Sequence, residues 1–318
     1  MPKITVMTFN VENMLYRFDF SKSEEEGMVS IPDTDDPAAR AELIRNYWNV
    51  LNDEDRVFTA LTMKEGDPDV ICLMEVENMS ALEKFHDGYL RRFSGRDYRY
   101  QYLIHGNDKR GINVAVLSRV KIESVASHQN ATAPGSSKRV FKRDCLEVRL
   151  EKNNKTIPIF VCHFKSMMGG RKETRPDREA ESAAVVKIIN DKYDDPAKSD
   201  WLIVGDLNDY TEVDGKPDKE HGLGPLLDGK FCVDLVKRIS DPKDRWTHFY
   251  ASAGDYHQLD YMLASPSLAK KNSGVIPKII RNGQPYRAER YTGPRWPRIG
   301  YDRPKASDHC PVVATLEF

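Results

Sequence analysis

Apolar, largely β-branched residues recur along this 318-residue chain in short runs bounded by polar or turn-forming residues: ITVMTFN (4–10), DVICLMEV (69–76), INVAVLSR (112–119), CLEVRL (145–150), IPIFVCHF (157–164), WLIVGDLN (201–208), QLDYML (258–263) and CPVVATLEF (310–318). Such runs predict β-strands. In Ala38 to Met63, in Arg178 to Tyr193 and near Ser80 to Phe93, apolar positions instead return every three or four residues, which predicts helices. Most predicted strands follow one another without an intervening helix, so the pattern favours packed sheets with helices outside them. No internal repeat and no Gly/Ser- or Pro-rich linker divides the chain, and one domain spanning 1–318 is expected. Three loop insertions are expected within it: an acidic one near 16–36, a basic, Gly-containing one near 165–178, and one rich in Arg, Pro, Tyr and Trp near 281–305. Loops of this length in a compact domain are usually functional or disordered.

Composition changes the picture little. Charged residues make up 31% of the chain, above the usual share of about 25%, but the formal net charge is −1, so no bulk charge argues for a polyanion partner. The start, MPKITVMTFNVEN, lacks the basic and apolar regions of a secretory signal, and no apolar run is long enough to span a bilayer. A soluble, cytoplasmic protein with no membrane association and no obligate protein partner is the expectation. Five cysteines without a CxxC pair argue against a disulfide framework or a cysteine-built zinc site. Cys72 and Cys162 sit in apolar runs and read as core.

The polar residues fall in a pattern of their own. The strand ITVMTF ends in Asn10, DVICLM ends in Glu75, IPIFVC ends in His163, WLIVG ends in Asp206 and Asn208, and the last strand is preceded by Ser307-Asp308-His309. Singly, each has a structural explanation: Asn10 could cap a turn, Glu75 could open a helix, and Asp206 or Asn208 could close an Asx-turn. Jointly, if these termini share one rim, they assemble a site.

The stretches TFNVEN, ICLMEVEN, VCHFKS, VGDLND, QLDYMLAS and ASDHCPV, in that order over nearly the whole chain, resemble the endonuclease/exonuclease/phosphatase superfamily, the group of deoxyribonuclease I and exonuclease III. The resemblance implies a four-layered α/β sandwich, with two packed, mostly antiparallel sheets flanked by helices and a divalent metal site at one rim. By motif position, Glu75 would ligate the metal with Asn10 beside it, and Asp308 would contact that metal or a second one. An oxygen-rich set of this kind suits Mg²⁺ or Mn²⁺. Asp206 would activate the attacking water and Asn208 would hold the phosphate, while His309 and His163 would donate to phosphate oxygens as charge builds on them. Asp260 would hold the His309 imidazole and raise its pKa. Some relatives add a phosphate-contacting Tyr or Arg before the VCHF strand. Tyr102, His105, Lys109 and Arg110 all remain candidates here, and a carboxylate partner for His163 is unassigned.

The same site serves nucleases, inositol-phosphate phosphatases, sphingomyelinases and deadenylases in this superfamily, so the loops decide the substrate. The inositol-phosphatase signature Trp-Cys-Asp-Arg is absent. WTHFYASAGDYHQLDYMLASPSL followed by RPKASDHCPVV is similar to bacterial nuclease-type members. Residues 287–305 interleave Arg287, Arg290, Arg295, Arg298, Arg303 and Lys305 with Tyr291, Trp296 and Tyr301, and Lys165 follows the His163 strand. Basic loops with aromatic planes suit a nucleic-acid backbone with stackable bases. A metal-dependent nuclease is therefore expected, with Arg110, Lys165, Arg295 and Arg298 as candidate substrate contacts. A phosphatase or phosphodiesterase for a small phosphoester or lipid head group is the alternative. A catalytically silent scaffold would have lost Glu75, Asp206 or His309, and none is lost.

Overall fold

The computed structural model describes residues 1–14, 16–18, 48–50, 53–133 and 136–318. In chain order the strands are β1 (Lys3–Met14), β2 (Tyr16–Phe18), β3 (Trp48–Val50), β4 (Val70–Val76), β5 (Tyr100–Leu103), β6 (Asn113–Ser118), β7 (Lys121–Ser127), β8 (Cys145–Lys152), β9 (Lys155–His163), β10 (Leu202–Asp206), β11 (Glu212–Val213), β12 (Lys216–Pro217), β13 (Val233–Asp234), β14 (His248–Tyr250), β15 (Asp255–His257), β16 (Asp260–Ala264), β17 (Lys278–Ile279) and β18 (Val312–Glu317). All eight runs predicted as strands form strands. Twelve of the strands build two six-stranded sheets, ordered β17-β18-β1-β4-β6-β5 and β13-β16-β10-β9-β8-β7. One parallel pair lies inside each sheet, β1 with β4 and β9 with β10, and every other pairing in the two sheets is antiparallel. The expectation of mostly antiparallel sheets holds.

The central strands are continuously apolar because both of their faces are covered. Alternate residues of β1 show this: Ile4 and Val6 point into the core shared by the two sheets, with Val70, Val114, Val148, Ile159, Val204 and Met262. Met7, Phe9 and Val11 point the other way, against Phe58 and Met63 of the helix Asp53–Gly66 and Leu82 and Phe85 of the helix Met79–Phe85. On the opposite side Phe160, Cys162 and Ile203 pack on Val185 and Ile189 of the helix Arg171–Lys192. Each fully buried aliphatic side chain contributes roughly 1.5–3 kcal/mol, so the helix–sheet–sheet–helix order follows from burying four apolar faces.

Three expectations need correction or qualification. The helix expected over Ala38 to Met63 is helical only from Asp53 among the described residues, while Trp48–Val50 pairs as a strand with Tyr16–Phe18. Most of that span, and most of the acidic 16–36 insertion, lies outside the described residues. The helix expected from Arg178 begins at Arg171, so the basic 165–178 stretch is loop only through Gly170. Gly169, Gly170 and Pro176 read as helix breakers, but the two glycines take φ of 96° and 109° just before the helix, and Arg171 and Arg178 anchor its first turns to buried carboxylate oxygens.

A parallel pair sends both of its C-terminal ends to one rim, and an antiparallel neighbour brings its N-terminal end to the same rim. Asn10, Glu75, His163 and Asp206 therefore meet Asp260 and the Ser307–His309 turn at one edge of the sandwich, between the two sheets.

Candidate active site

On the first sheet, the β4–β6 register shifts between Met74 and Val76, leaving Glu75 as an extra residue with φ of 67°. This bulge re-aims a side chain that a regular pleat would direct elsewhere. Glu75 Oε2 accepts the Asn13 amide at 2.9 Å, and Oε1 lies 3.3 Å from Asn10 Nδ2. Glu12 and Asn13 also have positive φ, where β1 leaves its register with β4. Left-handed backbone costs a non-glycine residue roughly 1–2 kcal/mol, and here it is concentrated at the rim.

On the second sheet, the glycine of Gly-Asp-Leu-Asn-Asp is required by close approach. Gly205 has φ of 140°, and any Cβ there would collide with the Cys162 carbonyl oxygen on the parallel strand. The next residue, Asp206, is buried among donors. Its Oδ1 accepts the Asn208 amide at 2.8 Å, and its Oδ2 accepts Asn10 Nδ2 and Asn208 Nδ2, both at 3.0 Å. His163 Nε2 and His309 Nε2 lie 3.6 and 3.8 Å from the same oxygen. Asn208, with φ of 51°, also donates to the Phe164 carbonyl at 3.1 Å.

The two imidazoles are driven apart in charge. Burial works against protonation of both, but His309 Nδ1 sits 2.7 Å from Asp260 Oδ2, and the Asp260 and Asp206 carboxylates raise its pKa well above the usual value. His163 is lowered well below the usual value by burial, with Arg143, His309 and Arg110 adding to the effect, and its Nδ1 meets no partner among the described residues. Burial also pushes the Asp206 carboxyl up to about 7, with His309 opposing and Asp260 assisting. Titratable neighbours pushed in opposite directions are what acid–base chemistry near neutrality requires. If protonated His309 serves the reaction, activity is lost as pH rises through its raised pKa. Asp260→Asn removes the largest raising influence, so the alkaline limb of the pH–rate profile is expected to move to lower pH; an unmoved limb would assign that limb to another group.

The remaining predicted residues divide. Asp308 is a third exposed, with its amide on Glu12 Oε2 at 3.0 Å and its Oδ2 3.8 Å from His248 Nε2. Arg110 and Lys165 line a basic cleft beside His163. Arg295 donates to the carbonyls of Gln284 and Ala288 and stacks on Tyr286 and Tyr291, while Arg298 pairs with Glu54. Around them Arg287 pairs with Asp302, Arg290 with Asp214, Arg303 with Glu12 and Asp55, and Lys305 with Glu12. The 281–305 segment thus buttresses the site from within: Gln284 Nε2 donates to the carbonyls of Ser307 and His309 at 3.0 and 2.9 Å.

Four supporting residues have roles that the sequence did not assign. Ser307 Oγ donates to the Asn10 carbonyl and accepts the His309 amide, joining β1 to the last motif. Thr247 Oγ1 accepts the amides of Leu259 and Asp260, which fixes the start of β16. Asp209, fully buried, accepts Arg171, Arg178 and the Gly222 amide, and so holds the loop that carries Asn208. Buried Arg143 donates to the Phe164 carbonyl. The doubled acid of Gly-Asp-Leu-Asn-Asp was a readable signal for Asp209; nothing local in sequence marked Thr247 or Arg143.

A model of the Endonuclease/Exonuclease/phosphatase family matches residues 5–288. The chain belongs to this family. Members of the endonuclease/exonuclease/phosphatase family hydrolyse phosphoester bonds and generally depend on a divalent metal. Among solved structures, an endonuclease/exonuclease/phosphatase protein of Beutenbergia cavernae superposes with a TM-score of 0.58 at 17% identity, over 100% of this chain and 72% of its own. Truncated Caenorhabditis elegans TDP2 gives 0.56 at 15%, over 99% and 98%, and a Staphylococcus aureus beta toxin gives 0.56 at 16%, over 98% and 99%. Likenesses this distant show the fold. No curated protein sequence matches the chain.

The donor set fits the family's metal requirement. Glu75 Oε1 and the Asp206 carboxylate lie on either side of the Asn10 carboxamide nitrogen, and a pair of carboxylates suits Mg²⁺ or Mn²⁺. The Asn10 carboxamide oxygen accepts the Glu12 amide, and its nitrogen faces the two carboxylates. His248, Asp308 and His309 form a second cluster whose ligand atoms lie within 4.8 Å of one another. That cluster offers two imidazoles and one carboxylate, a nitrogen-rich set that suits Mg²⁺ less well than the carboxylate oxygens of Glu75 and Asp206 do.

Proposed function

We propose that this protein hydrolyses phosphodiester bonds by water attack on phosphorus, with a nucleic acid as the favoured substrate. The observation that carries the reading is the single buried oxygen, Asp206 Oδ2, shared by two carboxamides and approached within 4 Å by two imidazoles of opposite tendency. Asp206 takes a proton from water as the new P–O bond forms and the bond to the leaving oxygen breaks. Protonated His309 and the Asn208 carboxamide donate to the non-bridging oxygens, where preorganised donors lower the barrier most. Neutral His163 can donate through Nε2 when the proton resides there. A divalent cation at Glu75, with Asn10 alongside, would neutralise charge developing on the phosphate oxygens. The preference for nucleic acid is supported by the basic cleft beside His163. Arg295, spent on the carbonyls of Gln284 and Ala288, is the weaker candidate for tracking phosphates, while Arg298, mostly exposed, keeps that role.

The test is a hydrolysis panel of plasmid, single-stranded DNA, RNA, bis-p-nitrophenyl phosphate and p-nitrophenyl phosphate with Mg²⁺, with Mn²⁺ and with EDTA. Diester cleavage that EDTA abolishes is the expected result, whereas cleavage of p-nitrophenyl phosphate alone would move the protein to a small-monoester phosphatase. Glu75→Gln is expected to raise the metal concentration needed for half-maximal rate by roughly tenfold or more, since even residues supporting a ligand change affinity on that scale. An unchanged metal titration would place the ion elsewhere.

A further inference from the structure

A cleft of about 440 Å³ opens beside the catalytic rim, lined by Lys109, Arg110, Lys142, Arg143 and Lys165 with Asp108 the one carboxylate. That volume lies within the range of small-ligand sites. Arg110 and Arg143 share the Asp108 carboxylate at 3.1 and 3.0 Å, and Lys142 Nζ lies 3.4 Å from Asp177, so the lining cations outnumber the acids that face them. The cleft touches the catalytic centre through one carbonyl: Phe164 O accepts Arg143 Nη1 at 2.8 Å and Asn208 Nδ2 at 3.1 Å. Lys165 is the next residue along.

The walls are built rather than incidental. Buried Glu181 accepts the backbone amides of Lys142 and Lys165 at 3.1 and 2.7 Å, which sets both lysines on one wall. Asn107 Nδ2 donates to the carbonyls of Gln129 and Phe141, and its Oδ1 accepts Arg139, so three segments close around the opposite wall. Gly106 allows that closure, because a Cβ there would sit 2.8 Å from the Arg143 carbonyl carbon and oxygen. No aromatic ring is among the lining residues, so the cleft offers charge and donors but no platform on which a base could stack.

We propose that this cleft binds a second phosphate of the substrate, adjacent to the one being cleaved, and recognises it by charge without reading the attached base or alcohol. The inference rests on the phosphodiesterase reading for its orientation relative to the reacting phosphate. A terminal phosphomonoester and a neighbouring backbone phosphodiester share the chemistry the cleft selects.

The test compares kcat/KM for TpT, for pTpT and TpTp, and for TpTpT, in wild type and in Lys109→Ala/Lys142→Ala. The added phosphate is expected to raise kcat/KM roughly tenfold or more, the scale of a charge-assisted contact, and the variant should bring the ratio toward one. A gain with TpTpT assigns the subsite to a backbone diester; a gain confined to pTpT or TpTp assigns it to a chain end. Calorimetric titration with thymidine 3′,5′-bisphosphate against the two thymidine monophosphates supplies a readout independent of turnover, with preference for the bisphosphate expected only in wild type. Equal binding of mono- and bisphosphates in wild type, or a preference that survives in the variant, overturns the inference. If no diester is cleaved but the bisphosphate preference holds, the proposed chemistry fails and the anion subsite stands.

Discussion

Asp206→Asn is expected to lower kcat on bis-p-nitrophenyl phosphate by roughly 10²- to 10⁴-fold, the usual contribution of a positioned general base. The substitution is close to isosteric, so an acceptor remains for the Asn208 amide, but a carboxamide cannot take a proton from water. Burial lifts the Asp206 carboxyl to about 7, so the wild-type acid limb should rise as pH increases through that region, shifted downward by any cation bound nearby. In the variant this limb should vanish while KM changes little. A variant that keeps more than about a tenth of wild-type kcat, or that keeps the limb, would remove Asp206 from the base role. An unchanged thermal midpoint would show that chemistry, not folding, was lost.

The second large effect is on stability. Arg178 and Asp209 are both fully buried, with Arg178 Nε 2.8 Å from Asp209 Oδ2 and the remaining guanidinium donors on Thr174 Oγ1 and the Arg171 and Lys165 carbonyls. Removing one partner of a buried pair leaves the other charge desolvated, at a cost of roughly 3–5 kcal/mol. Arg178→Met is expected at the low end of that range, because Arg171 and the Gly222 amide still reach Asp209. Denaturant titration gives the value directly. A loss below about 1 kcal/mol would mean that Arg171 alone suffices.

The strands that carry the rim were legible because they are buried on both faces and so read as unbroken apolar runs, from ITVMTF to VVATLE. The two longest strands that were missed, Tyr100–Leu103 and Lys121–Ser127, lie at the outer edges of their sheets, where exposed residues such as Lys121, Glu123 and Ser124 blur the pattern. Helical spacing likewise could not expose the start at Arg171, since its determinant is a carboxylate thirty-eight residues further on. The rim residues announced themselves by position, each polar group closing an apolar run. What could not be read was orientation: Glu75 faces the rim through a register shift, and Asn10 presents its amide nitrogen because Glu12 occupies its oxygen. The arginines of 287–305 show a related limit, as composition gives the number of charges but not the carboxylates and carbonyls that meet them.

Asn10, Glu75 and His309 descend from one sheet, and His163, Asp206 and Asp260 from the other, so the reacting groups face each other across a plane filled by interdigitated apolar side chains and bridged at the rim by the Asn10–Asp206 and His309–Asp260 contacts. A slide of one sheet over the other by about 1 Å would separate donor from base, and misplacement on that scale can cost roughly 10²-fold in rate. Val148, Ile159 and Val204, far from any substrate, therefore act as the bearing surface of a clamp, and repacking them should slow turnover before it unfolds the chain.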